Sequence, residues 1–217
     1  MPNYGEAFKR PFQDFKKLGI GIILAILPII NFFVAGYQLV CAKTAMKKDY
    51  ALPPWKSFWD LFVKGLVSFL ISLIYLIPAI ICIIIALILG GSILVDWFSQ
   101  LWIPSEKVIQ LSLVSLGNVF LILLLAMLFI IFVAYLIPIA LLQYIEKGKF
   151  SDAFELKKVF RKAFQGKYFA AWFVVTLYAI FLTAILSYIP FIGKAIATFI
   201  TGVTVFTAIG EIYPSLK

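Results

Sequence analysis

Apolar and polar positions are segregated into blocks along this chain. Five stretches, 18–42, 65–95, 108–145, 168–193 and 195–210, contain no Asp, Glu, Lys or Arg. A helix needs about 20 apolar residues to cross the ~30 Å hydrocarbon core of a bilayer. The second and fourth stretches therefore predict one crossing each. The third is longer than a crossing, so its polar start, with Gln110, Ser112, Ser115 and Asn118, is expected to project beyond the membrane. The fifth follows Pro190-Phe191-Ile192-Gly193-Lys194, which reads as a tight turn and makes the last two stretches a helical hairpin. The first stretch is interrupted by Pro28-Ile29-Ile30-Asn31. Proline removes a backbone donor and kinks or breaks a helix, so 18–46 reads either as one kinked span or as a hairpin, short or re-entrant.

Between the apolar blocks lie basic segments with helical periodicity. In the first, Phe8, Phe12 and Phe15 share a face opposite Lys9, Arg10, Gln13, Lys16 and Lys17. In the second, Trp55, Phe58, Trp59 and Phe62 stand opposite Lys56, Ser57, Asp60 and Lys64. In the third, Ala153, Leu156, Phe160, Ala163 and Phe164 stand opposite Glu155, Lys158, Arg161 and Lys162. A glycine follows each segment, at Gly19, Gly65 and Gly166. An aromatic face backed by a basic one is the pattern of a helix lying in the membrane interface, and glycine lets the chain bend from it into the bilayer. Asp152 and Glu155 have the spacing of an acidic capping box for the third segment. The chain thus parses as one membrane domain, 1–217, of three repeat-like units at about 4–46, 52–146 and 150–213. Tyr75-Leu76-Ile77-Pro78 recurs as Tyr135-Leu136-Ile137-Pro138.

Charge distribution bears on the first stretch. Cytoplasmic loops are enriched in Lys and Arg. If 18–46 is a hairpin, the N-terminal segment, loop 43–64, loop 147–167 and the C-terminus share one side. Of the 19 basic residues only Lys107 and Lys194 then lie opposite. The single-span reading moves four more across. The hairpin is the better fit, with both termini cytoplasmic and the N-terminal segment retained rather than cleaved.

Composition removes whole classes of protein. The 217 residues are 64% hydrophobic and 13% charged, against roughly 45–50% and 25% in a soluble domain. Neither a soluble globule nor a disordered chain fits. The net charge of +9 belongs to the flanks of the apolar blocks, so nucleic acid is not an expected partner. Histidine is absent, and the two cysteines, Cys41 and Cys82, sit singly in apolar runs. No cofactor, metal site or catalytic residue is expected on these grounds. The apolar stretches hold no carboxylate of the kind coupled transporters place at mid-membrane, and the chain has no phosphate-binding glycine loop or nucleophile elbow. Asn31, Gln38, Asn118 and Gln143 are mild polar residues in or near the stretches, and Thr198, Thr201, Thr204 and Thr207 recur every three residues. Small and hydroxylated residues let membrane helices approach and hydrogen-bond. The threonines, and the small pairs Ala35/Gly36 and Gly90-Gly91, read as packing. A polar stripe lining a path is the sharper alternative.

Gly36-Tyr37, Leu52-Pro53-Pro54-Trp55, Phe58, Leu61-Phe62-Val63-Lys64-Gly65-Leu66 and Tyr75-Leu76-Ile77-Pro78 resemble a family of polytopic membrane proteins of unknown function, mostly archaeal. The resemblance implies fold and membrane location and adds no catalytic residues. A looser likeness is to membrane domains attached to some bacterial glycerophosphodiester phosphodiesterases.

These readings predict an all-α integral membrane protein of the cell membrane, a bundle of three hairpins each preceded by an amphipathic elbow helix. It is expected to be non-enzymatic, a scaffold or lipid-interacting component, with membrane lipids as partners and a homo-oligomer compatible with the pattern. A channel or uncoupled transporter with a polar path along the last helix is the alternative.

Overall fold

The computed structural model describes residues 2–99 and 106–216, with side chains throughout except at 93–99 and 106–112. Among the described residues the chain is helical, without strands. Eight α-helices follow in order: α1 (Tyr4–Lys9), α2 (Phe15–Ile26), α3 (Asn31–Ala45), α4 (Phe58–Ser99), α5 (Glu106–Lys147), α6 (Leu156–Ala163), α7 (Gly166–Leu186) and α8 (Gly193–Ile212). Four of them, α4, α5, α7 and α8, are long and apolar enough to cross a membrane. The predicted starts at Gln110 and Ser112 fall where side chains are not described, whereas Asn118 is exposed on α5.

The first apolar stretch is a hairpin. At 1.5 Å per residue, α2 with 12 residues and α3 with 15 reach only about 18 and 22 Å, short of the ~30 Å core. The chain reverses at Leu27–Ile30, where Asn31 N–H donates to the Leu27 carbonyl at 2.8 Å.

Contacts gather into two compact units, Met1–Ser72 with Tyr135–Lys217, and Leu73–Ala134. In the first, α8 is the central helix, packed by α1, α2, α3 and α7. Phe199, Val203, Thr204, Thr207, Ala208 and Ile209 on it are fully buried. Glycines set how closely its neighbours approach. A Cβ at Gly202 would meet the Gln38 side chain at 2.0 Å, and one at Gly210 would meet the Ala42 carbonyl oxygen at 2.7 Å. Helices α3 and α4 cross in the same way, twice. A Cβ at Gly36 would stand 1.9 Å from the Leu61 oxygen, and one at Gly65 would stand 1.8 Å from the Phe32 oxygen. Van der Waals packing of backbone on backbone is what membrane helices have in place of a hydrophobic driving force. The end of α5 from Ile139 to Ile145 is buried throughout. Helix α7 buries Tyr168, Ala171 and Val175 and exposes Phe169, Phe173, Leu177, Ile180 and Phe181 on its other side, a surface suited to lipid.

The second unit consists of stretches of α4 and α5. Its buried residues are mostly small, Ala79, Ala86 and Ala126 with Val133, while Leu87, Ile88, Phe120 and Leu121 are at least 60% exposed.

Several expectations change. The helical face through Phe8, Phe12 and Phe15 is broken. Pro11 stands in a 3-10 turn, Arg10–Phe12, and Asp14 caps a new helix starting at Phe15. Proline cannot donate within a helix, so the period through Phe8, Phe12 and Phe15 does not continue past Pro11. In the second segment Trp55 lies ahead of α4 rather than on it, and α4 runs straight through Gly65. That glycine makes room for the Phe32 carbonyl and does not bend the chain. Gly19 likewise lies inside α2. Only the third segment is a separate short helix, α6, with Gly166 opening the next. Its buried residues are Val159 and Ala163, whereas Leu156 and Phe164 are exposed. Asp152 does not cap it. That residue sits in a 3-10 turn, and the N-cap position is Glu155, without a side-chain cap bond. Of the small pairs, Gly36 packs, but among the described residues nothing lies within 4 Å of a Cβ built at Gly90 or Gly91. The two Tyr-Leu-Ile-Pro copies are not equivalent, since Pro78 is exposed and Pro138 buried.

Candidate functional site

Arg10, expected on a solvated face, is fully buried. Its Nη1 donates to the Cys41 carbonyl at 2.8 Å and to Thr207 Oγ1 at 3.0 Å. Its Nη2 donates to Thr44 Oγ1 and to the carbonyls of Ala51, at 2.9 Å, and Asp49, at 3.2 Å. The guanidinium therefore joins the N-terminal segment, the end of α3, the 46–57 connection and α8. The partners are carbonyls and hydroxyls, and two of the residues supplying them, Cys41 and Thr44, lie near the C-terminal end of α3, where the helix dipole is negative. Glu211 at the end of α8 makes a second staple. It accepts from the Asn3 N–H at 2.8 Å and from Tyr50, whose hydroxyl is pushed up to about 12 by burial and then by this carboxylate.

The 52–57 segment is held as firmly. Tyr37 donates to the Pro53 carbonyl at 2.9 Å, Lys17 Nζ to the Leu52 carbonyl at 2.7 Å, and Trp55 Nε1 to the Lys17 carbonyl at 3.2 Å. The Trp55 and Tyr37 rings stack with centroids 4.0 Å apart. Asp14 accepts from the backbone N–H groups of Lys17 and Lys16, which hold its carboxyl below the usual carboxylate range.

Around α6 the charges are divided. Glu155 takes hydrogen bonds from Lys147, at 2.7 Å, and from Lys158, which hold its carboxyl down at about 2. Lys147 also faces Asp152 at 3.8 Å. Lys162 lies over the Tyr213 ring, 3.6 Å from its centroid, and burial lowers its ammonium pKa. Tyr135 donates to the Ala163 carbonyl, and Tyr168 to the Tyr135 carbonyl.

The nine aromatic residues expected at the interface separate into two groups. Phe12, Phe15, Phe58, Trp59 and Phe164 are exposed, standing in the turn before α2, at the starts of α2 and α4, and between α6 and α7. Phe8, Trp55, Phe62 and Phe160 are partly buried. Phe8 packs on Tyr178 at 4.6 Å, Phe62 on Phe33 at 5.2 Å, and Phe160 on Phe164 at 6.1 Å.

The four threonines do not form one face. Residues three apart on an α-helix are offset by about 60°, so the row winds around α8. Thr198 and Thr201 bond back to the Lys194 and Ala197 carbonyls at 2.8 and 2.6 Å. Thr204 is buried, and Thr207 accepts from Arg10. Gln38 crosslinks α3 to α8 by donating to the Thr198 carbonyl at 2.9 Å. Among the described residues no three His, Cys, Asp or Glu side chains come together.

Residues 20–191 match the family described as "Protein of unknown function (DUF4013)". The chain belongs to this family. No curated protein and no solved structure matches the chain. The geometry explains what several residues inside the matched range do here. Gly36 and Gly65 are where the backbones of α3 and α4 approach each other closely, and Tyr37 stacks on the tryptophan of Leu52-Pro53-Pro54-Trp55. Arg10, Thr207 and Glu211 lie outside the matched residues. Sequence reasoning missed Arg10 and Glu211 as a paired fastening. The available signal was Pro11, which breaks the phase that put Arg10 outward.

Proposed function

We propose that this DUF4013 member is a non-enzymatic, lipid-facing scaffold of the cell membrane, with both termini cytoplasmic and its basic end seated on the inner leaflet. The observation that carries the proposal is the grouping of exposed aromatics with lysines where helices begin. Phe12, Phe15, Phe58, Trp59 and Phe164 are exposed beside Lys16, Lys56 and Lys167, the chemistry of an acyl–headgroup boundary. The fastenings by Arg10 and Glu211 support a common side for the N-terminal segment, the 46–57 connection and the end of α8. The excess of Lys and Arg on that side supports its being cytoplasmic.

The surroundings of α8 favour a scaffold over a polar path. Two of its threonines satisfy their hydroxyls on their own helix, and Thr207 is engaged by Arg10. The inner-side acids support the non-enzymatic reading, because Asp14, Asp60 and Glu155 are occupied by a helix cap or by lysines.

Depth measurement tests the proposal. Trp59→Cys, in a background with Cys41 and Cys82 replaced by serine, is labelled with an environment-sensitive fluorophore and reconstituted with lipids brominated at defined acyl positions. Strongest quenching by lipids brominated near the headgroup is expected. A label reached only by an aqueous quencher would overturn the reading.

A further inference from the structure

We infer that α6 and the first turn of α7 form a binding surface for the phosphate of anionic phospholipids, carried by Lys157, Arg161 and Lys167. This inference rests on the inner-leaflet reading above and adds to it a lipid class and three residues. At about 100° per residue, α6 presents three stripes. Val159 and Ala163 form the buried one. Leu156, Phe160 and Phe164 form an adjacent apolar flank, of which Leu156 is 49% and Phe164 67% exposed. Lys157 follows at the edge of that flank, and Arg161 lies opposite the buried stripe.

The basic residues of α6 have separate duties. Lys158 is taken up by Glu155 and Lys162 by the Tyr213 ring, so both serve the fold. Lys157, Arg161 and Lys167 are exposed, and among the described residues no carboxylate lies within 4 Å of them. Two free cations on one short helix thus border an apolar, partly aromatic flank, and a third stands at the start of the next helix. A soluble acidic partner would engage the cations and leave Leu156 and Phe164 in water. A lipid surface satisfies both stripes at once, with acyl chains against the flank and phosphates against the cations. Arginine can grip a phosphate through two parallel N–H donors, so Arg161 is the principal contact.

The full-length protein is reconstituted in phosphatidylcholine vesicles carrying a trace of spin-labelled phosphatidylglycerol or spin-labelled phosphatidylcholine. The fraction of each held at the protein surface gives a relative association constant. We expect phosphatidylglycerol to be favoured by roughly fivefold, the effect of about one fully engaged cation near the surface, and raised salt to shrink the preference. Lys157→Gln/Arg161→Gln/Lys167→Gln should bring the ratio near one. Lys157→Arg/Arg161→Lys/Lys167→Arg should retain it, which separates lost charge from lost fold. Lys43→Gln/Lys47→Gln/Lys48→Gln removes three exposed charges elsewhere and should change the ratio little. Equal association of the two lipids by the unaltered protein, or the same loss in both neutralised variants, would overturn the inference. The Trp59 depth experiment is independent of it. Quenching near the headgroup with no phosphatidylglycerol preference would leave the scaffold reading standing and remove only this one.

Discussion

Arg10 Nη1 lies 3.0 Å from Thr207 Oγ1, although 197 positions separate the two in the chain. The same guanidinium reaches Cys41, Thr44, Asp49 and Ala51, so one side chain closes the N-terminal segment over both α3 and α8. Replacing it removes the partner of several buried acceptors at once. Each unsatisfied buried polar group costs about 1–3 kcal/mol. Arg10→Ala is therefore expected to destabilise the protein by roughly 3 kcal/mol or more, because several acceptors lose their partner together. Arg10→Lys should be intermediate, because an ammonium has three donors for five acceptors spread over three elements. Thermal unfolding in detergent, followed by monodispersity, checks both. A wild-type midpoint for Arg10→Ala would show that the fastening is dispensable.

The glycines give a graded test of helix contact. Gly36→Ala and Gly65→Ala each place a Cβ under 2 Å from a carbonyl oxygen of the facing helix. Backbone cannot yield as a side-chain tip can, so each should cost at least about 1–3 kcal/mol, as overpacking does. Gly19→Ala has open space and lies inside α2, where alanine gains about 0.5–1 kcal/mol in helix propensity. Its unfolding midpoint should stay level or rise. Midpoints that fall equally in all three would assign the losses to something other than the α3–α4 contact.

Topology follows from the Arg10 contacts. With Cys41 and Cys82 replaced by serine, Lys9→Cys and Lys56→Cys should both react with a membrane-impermeant maleimide from the same face of oriented vesicles. Reaction from opposite faces would require 18–46 to cross once and would contradict the hairpin.

The pH response around α6 has a defined direction. Lys147 and Lys158 depress the Glu155 carboxyl from its ordinary 4.5 to about 2. Its contribution to stability is then complete above about 4.5 and is lost as pH falls through about 2. The difference in unfolding midpoint between the wild type and Glu155→Gln should hold steady above 4.5 and shrink toward zero near 2. A difference that vanishes while the carboxyl is still ionised would place the stabilisation elsewhere.

If the protein is non-enzymatic, its inner-side acids are structural. Asp14→Asn, Asp60→Asn, Asp152→Asn and Glu155→Gln should each leave any assayable transport or lipid association within a few-fold. Asn caps helices about as well as Asp, so the α2 cap is better probed by Asp14→Ala, at about 1 kcal/mol. Abolition of activity by one of these changes in a folded protein would reveal an active site on the inner face.

The charge-free stretches, by their length alone, determined that the chain is α-helical and built for a membrane, because in hydrocarbon a helix satisfies its own backbone and needs no partner. The break that starts by Pro28 and the turn that ends by Gly193 were local too, and so was the bias of Lys and Arg toward one side, which pointed to the first hairpin. What needed the fold were relations between distant residues. Periodicity assigned Arg10, Trp55 and Gly65 to an outward face, an interfacial face and a bend. Periodicity assumes a continuous helix and says nothing of what stands opposite. Pro11 interrupts that continuity at Arg10, the Tyr37 ring and the Lys17 carbonyl draw Trp55 out of α4, and the Phe32 carbonyl occupies the space at Gly65. The threonine row was legible as a row, but its role was set by where α8 sits. Helix α8 buries Thr204 and Thr207 among its neighbours and leaves Thr198 and Thr201 partly exposed, so each hydroxyl met its own surroundings.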